Sequence, residues 1–229
     1  MNNNVYLIRH LDRIDNDDCS IDEMRKWNST HRKEYIFRVN PYICQSNNKL
    51  NKLVENLISK GNPEFDHIIC SPFLRCIETA ILVKNKYANI KNKTINIEFN
   101  LSEFLCEDFG FIKPIDIKTV YEHSKSYLAA NYKDFELNNI NTTLMLTEYE
   151  TDEEYTARIQ KVLAEIKSKY SGNILIVSHK DALELNMKYG EVYKLNIPEQ
   201  LDEKLKGGYY NKYLKYKAKY LKLKNNSDY

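Results

Sequence analysis

Two histidines, three arginines and a glutamate follow short apolar runs in this chain of 229 residues. Arg9 and His10 come after residues 5–8, with Arg13 three positions on. Ser71, Pro72 and Arg75 follow residues 67–70. Glu103 comes shortly after residues 95–99, and Ser178 and His179 follow residues 174–177. Gathered at one place, these residue types suit phosphoryl transfer through a histidine. An imidazole nitrogen can attack phosphorus and divide one difficult displacement into two easier ones. Guanidinium groups clamp phosphoryl oxygens through paired hydrogen bonds. A second imidazole, protonated, can bind another oxygen. A carboxyl is needed to protonate the leaving oxygen and later to activate water. A helix start behind Ser71 would add backbone N–H donors. This chemistry requires neither metal nor cofactor.

For these groups to meet, the apolar runs must be neighbouring strands whose carboxyl ends share one edge, where open parallel sheets bind ligands. Two of the runs are almost continuously apolar, as in strands covered on both faces. Helical patterns lie between them. Leu50, Leu53, Val54, Leu57 and Ile58 recur at helical spacing, and Gly61 ends that segment. Ser71 and Pro72 read as an N-cap and a first helical residue, followed by Ile77, Ile81 and Leu82 on an apolar side. Thr151 and Glu154 predict a capping box, and Tyr155, Ile159, Val162, Ile166 and Tyr170 carry that helix towards Gly172. The alternation predicts an α/β fold: three layers, α/β/α, around a mainly parallel sheet. Residues 1–203 read as the catalytic domain, with 104–147 as an inserted cap region and 204–229 as a basic tail.

The motifs resemble those of the histidine phosphatase superfamily, the phosphoglycerate mutase-like proteins. Leu7, Ile8, Arg9 and His10 resemble the family's N-terminal RHG motif. Residues 70–80 are similar to its SPxxRxxETA motif, and residues 174–179 to its strand with the second histidine. The run from Arg9 to Asp15 resembles most the branch with the ubiquitin-associated and SH3-domain (Sts) phosphatases, as does residues 150–155 with Arg158. The resemblance spans about residues 4–182. It implies that His10 is the nucleophile and that Arg9, Arg13, Arg75 and His179 form the phosphate pocket. It offers Glu103 as the acid/base, with Asp12, Glu107 and Asp108 as rivals.

The chain departs from the pattern at several points. Leu11 stands where the family has glycine, and a leucine there threatens to crowd the pocket. Lys180 replaces another frequent glycine. The usual Pro-Leu-Thr-x-x-Gly segment is reduced to Asn40, Pro41, Tyr42 and Ile43, and the last strand is expected at Val192 to Leu195. The leading expectation is a metal-independent, acid-type phosphatase acting on a phosphorylated small molecule or a phosphoprotein. A phosphoglycerate mutase-type phosphotransferase and a non-catalytic pseudophosphatase are the alternatives.

Composition narrows the setting. Charged residues make up 29% and hydrophobic ones 42%, with mean hydropathy −0.61, which suits a folded soluble domain. No apolar run approaches the roughly 20 residues that span a bilayer. With no signal peptide recognised, the expectation is a cytoplasmic protein. The net charge of +2 is uneven: eight lysines lie in 204–224, leaving 26 basic against 31 acidic residues in 1–203. Protein-wide nucleic-acid affinity is thereby excluded. Cys19, Cys44, Cys70, Cys76 and Cys106 are odd in number and form no CxxC pair, so they read as reduced, buried thiols. His31, His67 and His123 lack ligand spacing and read as structural or exposed, and Trp27 as packing. In the tail, Tyr209, Tyr213, Tyr216, Tyr220 and Leu223 recur at heptad spacing among lysines. That segment is expected to pack on the body, to self-associate in a homodimer, or to bind an anionic surface. It resembles Tyr/Lys-rich C-termini of giant DNA virus proteins, which would place the chain in a host cytoplasm.

Overall fold

A sheet buried on both faces needs central strands that are apolar at nearly every position, and residues 5–8 and 174–177 supply them here. The computed structural model describes residues 4–16, 19–46, 49–90, 94–104, 116–141, 149–179 and 187–195. Strands β1 (Asn4–Arg9), β2 (His67–Cys70), β3 (Ile95–Glu98), β4 (Leu137–Asn141), β5 (Asn173–Ser178) and β6 (Val192–Leu195) form one sheet in the order β4-β3-β2-β5-β1-β6. All neighbours are parallel except β6, which runs antiparallel to β1. The fold is the mixed α/β arrangement that the alternating pattern predicts.

Successive side chains of each strand feed opposite cores. Tyr6 and Ile8 of β1 join Ile68, Ile97, Leu175 and Val177 in one cluster. Val5 and Leu7 join Ile69, Ile174 and Ile176 in the other. Helices α3 (Lys49–Ser59), α4 (Leu74–Lys86) and α5 (Ile117–Asn131) cover the first face, and α6 (Asp152–Lys169) the second. The expected capping box forms at Thr151 and Glu154. Two short helices, α1 (Ile21–Thr30) and α2 (Tyr35–Val39), follow β1.

The reading of Ser71 and Pro72 as a helix start needs correction. The N-cap is Phe73, and α4 begins at Leu74. The Leu74 N–H is taken by Asn40 Oδ1 at 2.7 Å and offers nothing to a ligand. Ser71 instead serves the second histidine, as described below. The strand β4 escaped the sequence because only Leu137 and Ile140 are apolar in it. An edge strand needs backbone pairing more than a buried face, and an Asn138–Asn96 side-chain hydrogen bond (3.1 Å) ties β4 to β3. Of the expected cap region, residues 105–115 and 142–147 lie outside the described residues; α5 and β4 join the core and the sheet.

The cysteines differ from expectation too. Cys19 and Cys44 are joined in a disulfide, so the reading of five reduced thiols fails for that pair. Spacing in sequence hid it: the bond crosses 25 positions and depends on the chain folding back. That return is set by Cys44 N–H donating to Asp12 O (2.8 Å) and Ile14 N–H donating to Tyr42 O (3.0 Å). Trp27 packs with Ile14 and this disulfide, a packing role as read. Cys70 and Cys76 are free and buried. Burial pushes the Cys76 thiol up to about 12 and Cys70 well above its ordinary value, which keeps both inert.

Candidate active site

Parallel pairing brings the strand ends together. Arg9 lies opposite Ser178 in register, His10 N–H donates to Ser178 O (3.0 Å), and Ser71 N–H donates to Val177 O (3.0 Å). The ends of β1, β2 and β5 therefore meet at one edge of the sheet, and the loop after β3 joins them. His10, Arg75, Glu103 and His179 are brought together there, with Arg9 and Arg13 beside them.

His10 is 2% exposed, and its Nδ1 lies 2.7 Å from Leu11 O. A carbonyl only accepts, so Nδ1 carries the proton and Nε2 keeps its lone pair. Burial first, then the charges of Arg75, Arg9 and Arg13, hold the ring well below the ordinary histidine pKa, against an upward pull from the Leu11 bond. A neutral imidazole with one free nitrogen is a competent nucleophile at neutral pH.

Leu11 is itself fixed. Its N–H donates to Thr79 Oγ1 (3.0 Å), whose hydroxyl donates to Arg75 O (2.7 Å). Its side chain is 4% exposed, lies in the main core and rests beside Gly190. Position 11 is not among the positive-φ residues, so its backbone does not require glycine.

His179 is fully buried. Arg75 Nη2, a donor, lies 3.4 Å from its Nδ1, so Nε2 bears the proton and donates to Ser71 Oγ at 2.9 Å. The ring centroids of His10 and His179 are 5.4 Å apart. Burial, then Arg75, His10, Arg9 and Arg13, lower its pKa well below the ordinary value. The ring is thus neutral, where the sequence reading had it charged. The guanidinium groups already present oppose another positive charge until phosphate offsets them.

Arg75 is fully buried and pairs with Glu103 through Nη2, while its Nε has no hydrogen-bond partner. The Nε of Arg9 is likewise buried and unpartnered. Arg9 Nη1 donates to Met187 O (2.7 Å), and its guanidinium lies 3.7 Å from the Tyr189 ring centroid. Unsatisfied buried donors are costly, and a phosphoryl oxygen is the acceptor that suits a guanidinium N–H. Arg13 is clamped on Asp15 by two bonds of 2.8 and 2.6 Å. Burial opposes its charge, but the Asp15 pair and the nearby Glu103 raise its pKa.

Glu103 Oε1 lies 3.8 Å from His179 Nδ1, and its side chain is 17% exposed. Its rival Asp12 is turned to Lys49 Nζ (2.8 Å) and Asn16 Nδ2 (3.1 Å). Glu107, Asp108 and Lys180 lie outside the described residues, as does the tail. His31 and His123 both contact Phe37, and His67 lies against Tyr170.

Sequence reasoning missed Tyr189, which lies 5.5 Å from His10 by ring centroids. It also missed Asn40, whose amide joins Leu74 to Val120 O and Ser124 Oγ. A lone tyrosine before a glycine and an asparagine in an Asn-rich chain carry no local signal.

Comparison with known proteins follows the same lines. The sequence profile of the Histidine phosphatase superfamily (branch 1) matches residues 50–202. That span includes Arg75, Glu103 and His179 and begins after His10. No curated protein matches the sequence. Among solved structures, a candidate alpha-ribazole-5'-P phosphatase from Escherichia coli K-12 superposes with a TM-score of 0.50 at 16% identity, over 87% of this chain and 93% of that one. The ecdysone phosphate phosphatase from Bombix mori, solved with tungstate, superposes with a TM-score of 0.53 at 18% identity, over 81% and 76%.

Proposed function

The chain belongs to the histidine phosphatase superfamily (branch 1), and from that premise we propose that it hydrolyses phosphomonoesters through a phosphohistidine on His10. One observation carries the reading: the buried His10 ring commits Nδ1 to Leu11 O and leaves Nε2 free, beside Arg9 and Arg75 donors that lack partners.

The proposed sequence runs as two displacements. The substrate phosphoryl group takes the Arg9, Arg13 and Arg75 donors and draws Arg75 from Glu103. The His10 Nε2 lone pair forms the N–P bond as the ester P–O bond breaks. Glu103, in its acid form, gives its proton to the departing oxygen. Water then attacks phosphorus while the Glu103 carboxylate takes its proton, the N–P bond breaks, and inorganic phosphate leaves. His179, held by Ser71 through Nε2, gains a proton on Nδ1 once the phosphoryl charge offsets the guanidinium groups, and donates it to a phosphoryl oxygen. The substrate is a phosphorylated small molecule or a phosphoprotein, and the Arg9 to Asp15 run supports kinship with the Sts branch.

The test is turnover of an aryl phosphate between about pH 5 and 7 with a chelator present, wild type beside His10→Ala. Acid-quenched enzyme should carry a labelled phosphohistidine. Wild-type turnover that survives His10→Ala would remove the mechanism. A folded wild type that forms no phosphohistidine from a panel of natural phosphates would make it a binding module. A requirement for priming by a bisphosphate would make it a mutase.

A further inference from the structure

Arg158 sits near the start of α6, and its guanidinium is almost entirely committed. Nε and Nη2 each donate to the Glu150 carboxylate at 2.6 Å. Nη1 donates to Asn100 O at 2.6 Å and to Ser102 O at 3.2 Å. The pair is 9% and 6% exposed. Burying two charges costs several kcal/mol of desolvation per ion, and an apolar pair of the same volume often serves stability as well. Stability alone is a weak reason for this arrangement.

Its position suggests another reason. The turn after β3 presents the carbonyls of Asn100, Leu101 and Ser102 in succession. Arg158 holds the first and third, and Ser178 Oγ, next to His179, donates to the second at 2.9 Å. Glu103 is the next residue. Glu150 immediately precedes the N-cap Thr151, so both members of the pair hang from the start of α6. That helix is anchored by Tyr155, Ile159, Val162, Leu163 and Ile166. A rigid helix thus grips the turn that carries the carboxyl.

We propose that Arg158, held by Glu150, is a positioning residue that sets Glu103 against Arg75 and His179 for proton transfer to the leaving oxygen. This rests on the reading of Glu103 as the acid given above. The carboxyl reaches the site at the end of a single 3-10 turn, Phe99–Leu101, which one helical turn alone holds loosely, and a displacement of about 1 Å at a reacting group can cost about 100-fold.

The test compares Arg158→Lys, Glu150→Gln and Glu103→Gln on phosphomonoesters whose leaving alcohols range from an acidic phenol to an alkyl alcohol. An acid matters most when the leaving group is poor. Each variant should lose less than about tenfold in kcat/KM on the phenyl ester and about 100-fold on the alkyl ester. Inhibition by inorganic phosphate should stay within about threefold for Arg158→Lys and Glu150→Gln, which leave the phosphate pocket untouched. Kinetics are read below each variant's melting temperature. A loss equal across leaving groups, or a lower melting temperature with wild-type kinetics, would overturn the positioning role. If Arg158→Lys does not fold, Glu150→Gln keeps the guanidinium and carries the test. If Glu103→Gln itself shows no leaving-group dependence, the acid assignment fails, and the positioning role fails with it.

Discussion

Leu11 rests against Gly190, where an added Cβ would stand 3.2 Å from Leu11 Cδ2. Gly190 has φ +69°, in the left-handed region that disfavours side chains. The leucine that replaces a family glycine has therefore been given room by a glycine elsewhere. Gly190→Ala should cost about 1–2 kcal/mol by urea unfolding. Leu11→Gly should cost about 3–5 kcal/mol, because it empties a core site, and should bring no gain in turnover. A tenfold rise in kcat/KM for that variant would show that Leu11 does restrict the pocket.

The fold should lose stability on acidification. His10 and His179 have pKa values below the ordinary value of about 6.5, so the folded state binds fewer protons than the unfolded chain below that pH. Stability then falls as pH drops, by up to about 1.4 kcal/mol per unit for each ring. Glu78 acts in the opposite sense. Burial, against the hydrogen bonds from Ile43 N–H and Tyr132 Oη, pushes its pKa to about 8. The folded state holds that proton between the ordinary carboxyl range and about 8, so stability declines as pH rises across it. Above about 6.5 the rings no longer contribute, and a decline of about 2 kcal/mol should remain. Glu78→Gln should flatten it, since the amide can accept from Ile43 N–H and donate to Tyr132 Oη. Urea midpoints from about pH 5 to 8 decide the matter. An unchanged decline in Glu78→Gln would refute the assignment.

Reductant should weaken the protein. The Cys19–Cys44 bond closes a loop spanning 25 positions, worth about 3–4 kcal/mol by chain entropy. It braces the segment in which Arg13 and Ile43 form a bridge. Cys44→Ser, or reduction of the wild type, should lower the melting temperature by several degrees. The unreduced, unfolded chain should show two fewer thiols than its five cysteines. Five titratable thiols would rule the bond out.

Tyr189 should matter through its ring. It covers the Arg9 guanidinium at 3.7 Å, which Met187 O holds from another side. A cation over an aromatic face gains about 0.5–2 kcal/mol. Tyr189→Ala should therefore raise KM by roughly 2- to 30-fold, and Tyr189→Phe should restore it. A phenylalanine variant as weak as the alanine one would shift the role to the hydroxyl.

Sequence alone pointed to five of the six strands and to the superfamily that the chain belongs to. The runs at 5–8 and 174–177 are apolar at nearly every position, and burial on both faces follows from that pattern. His10, Arg75, Glu103 and His179 were legible because each follows a short apolar run at short range. Pairing between strands then decided what lay far apart. The disulfide, the turn of Leu11 towards Gly190, and the grip of Arg158 on the Glu103 turn join residues separated by 25 to 179 positions. None has a periodicity to announce it. The protonation of the site was decided there too. The imidazoles of His10 and His179 become neutral because folding removes water from them and sets guanidinium charges around them.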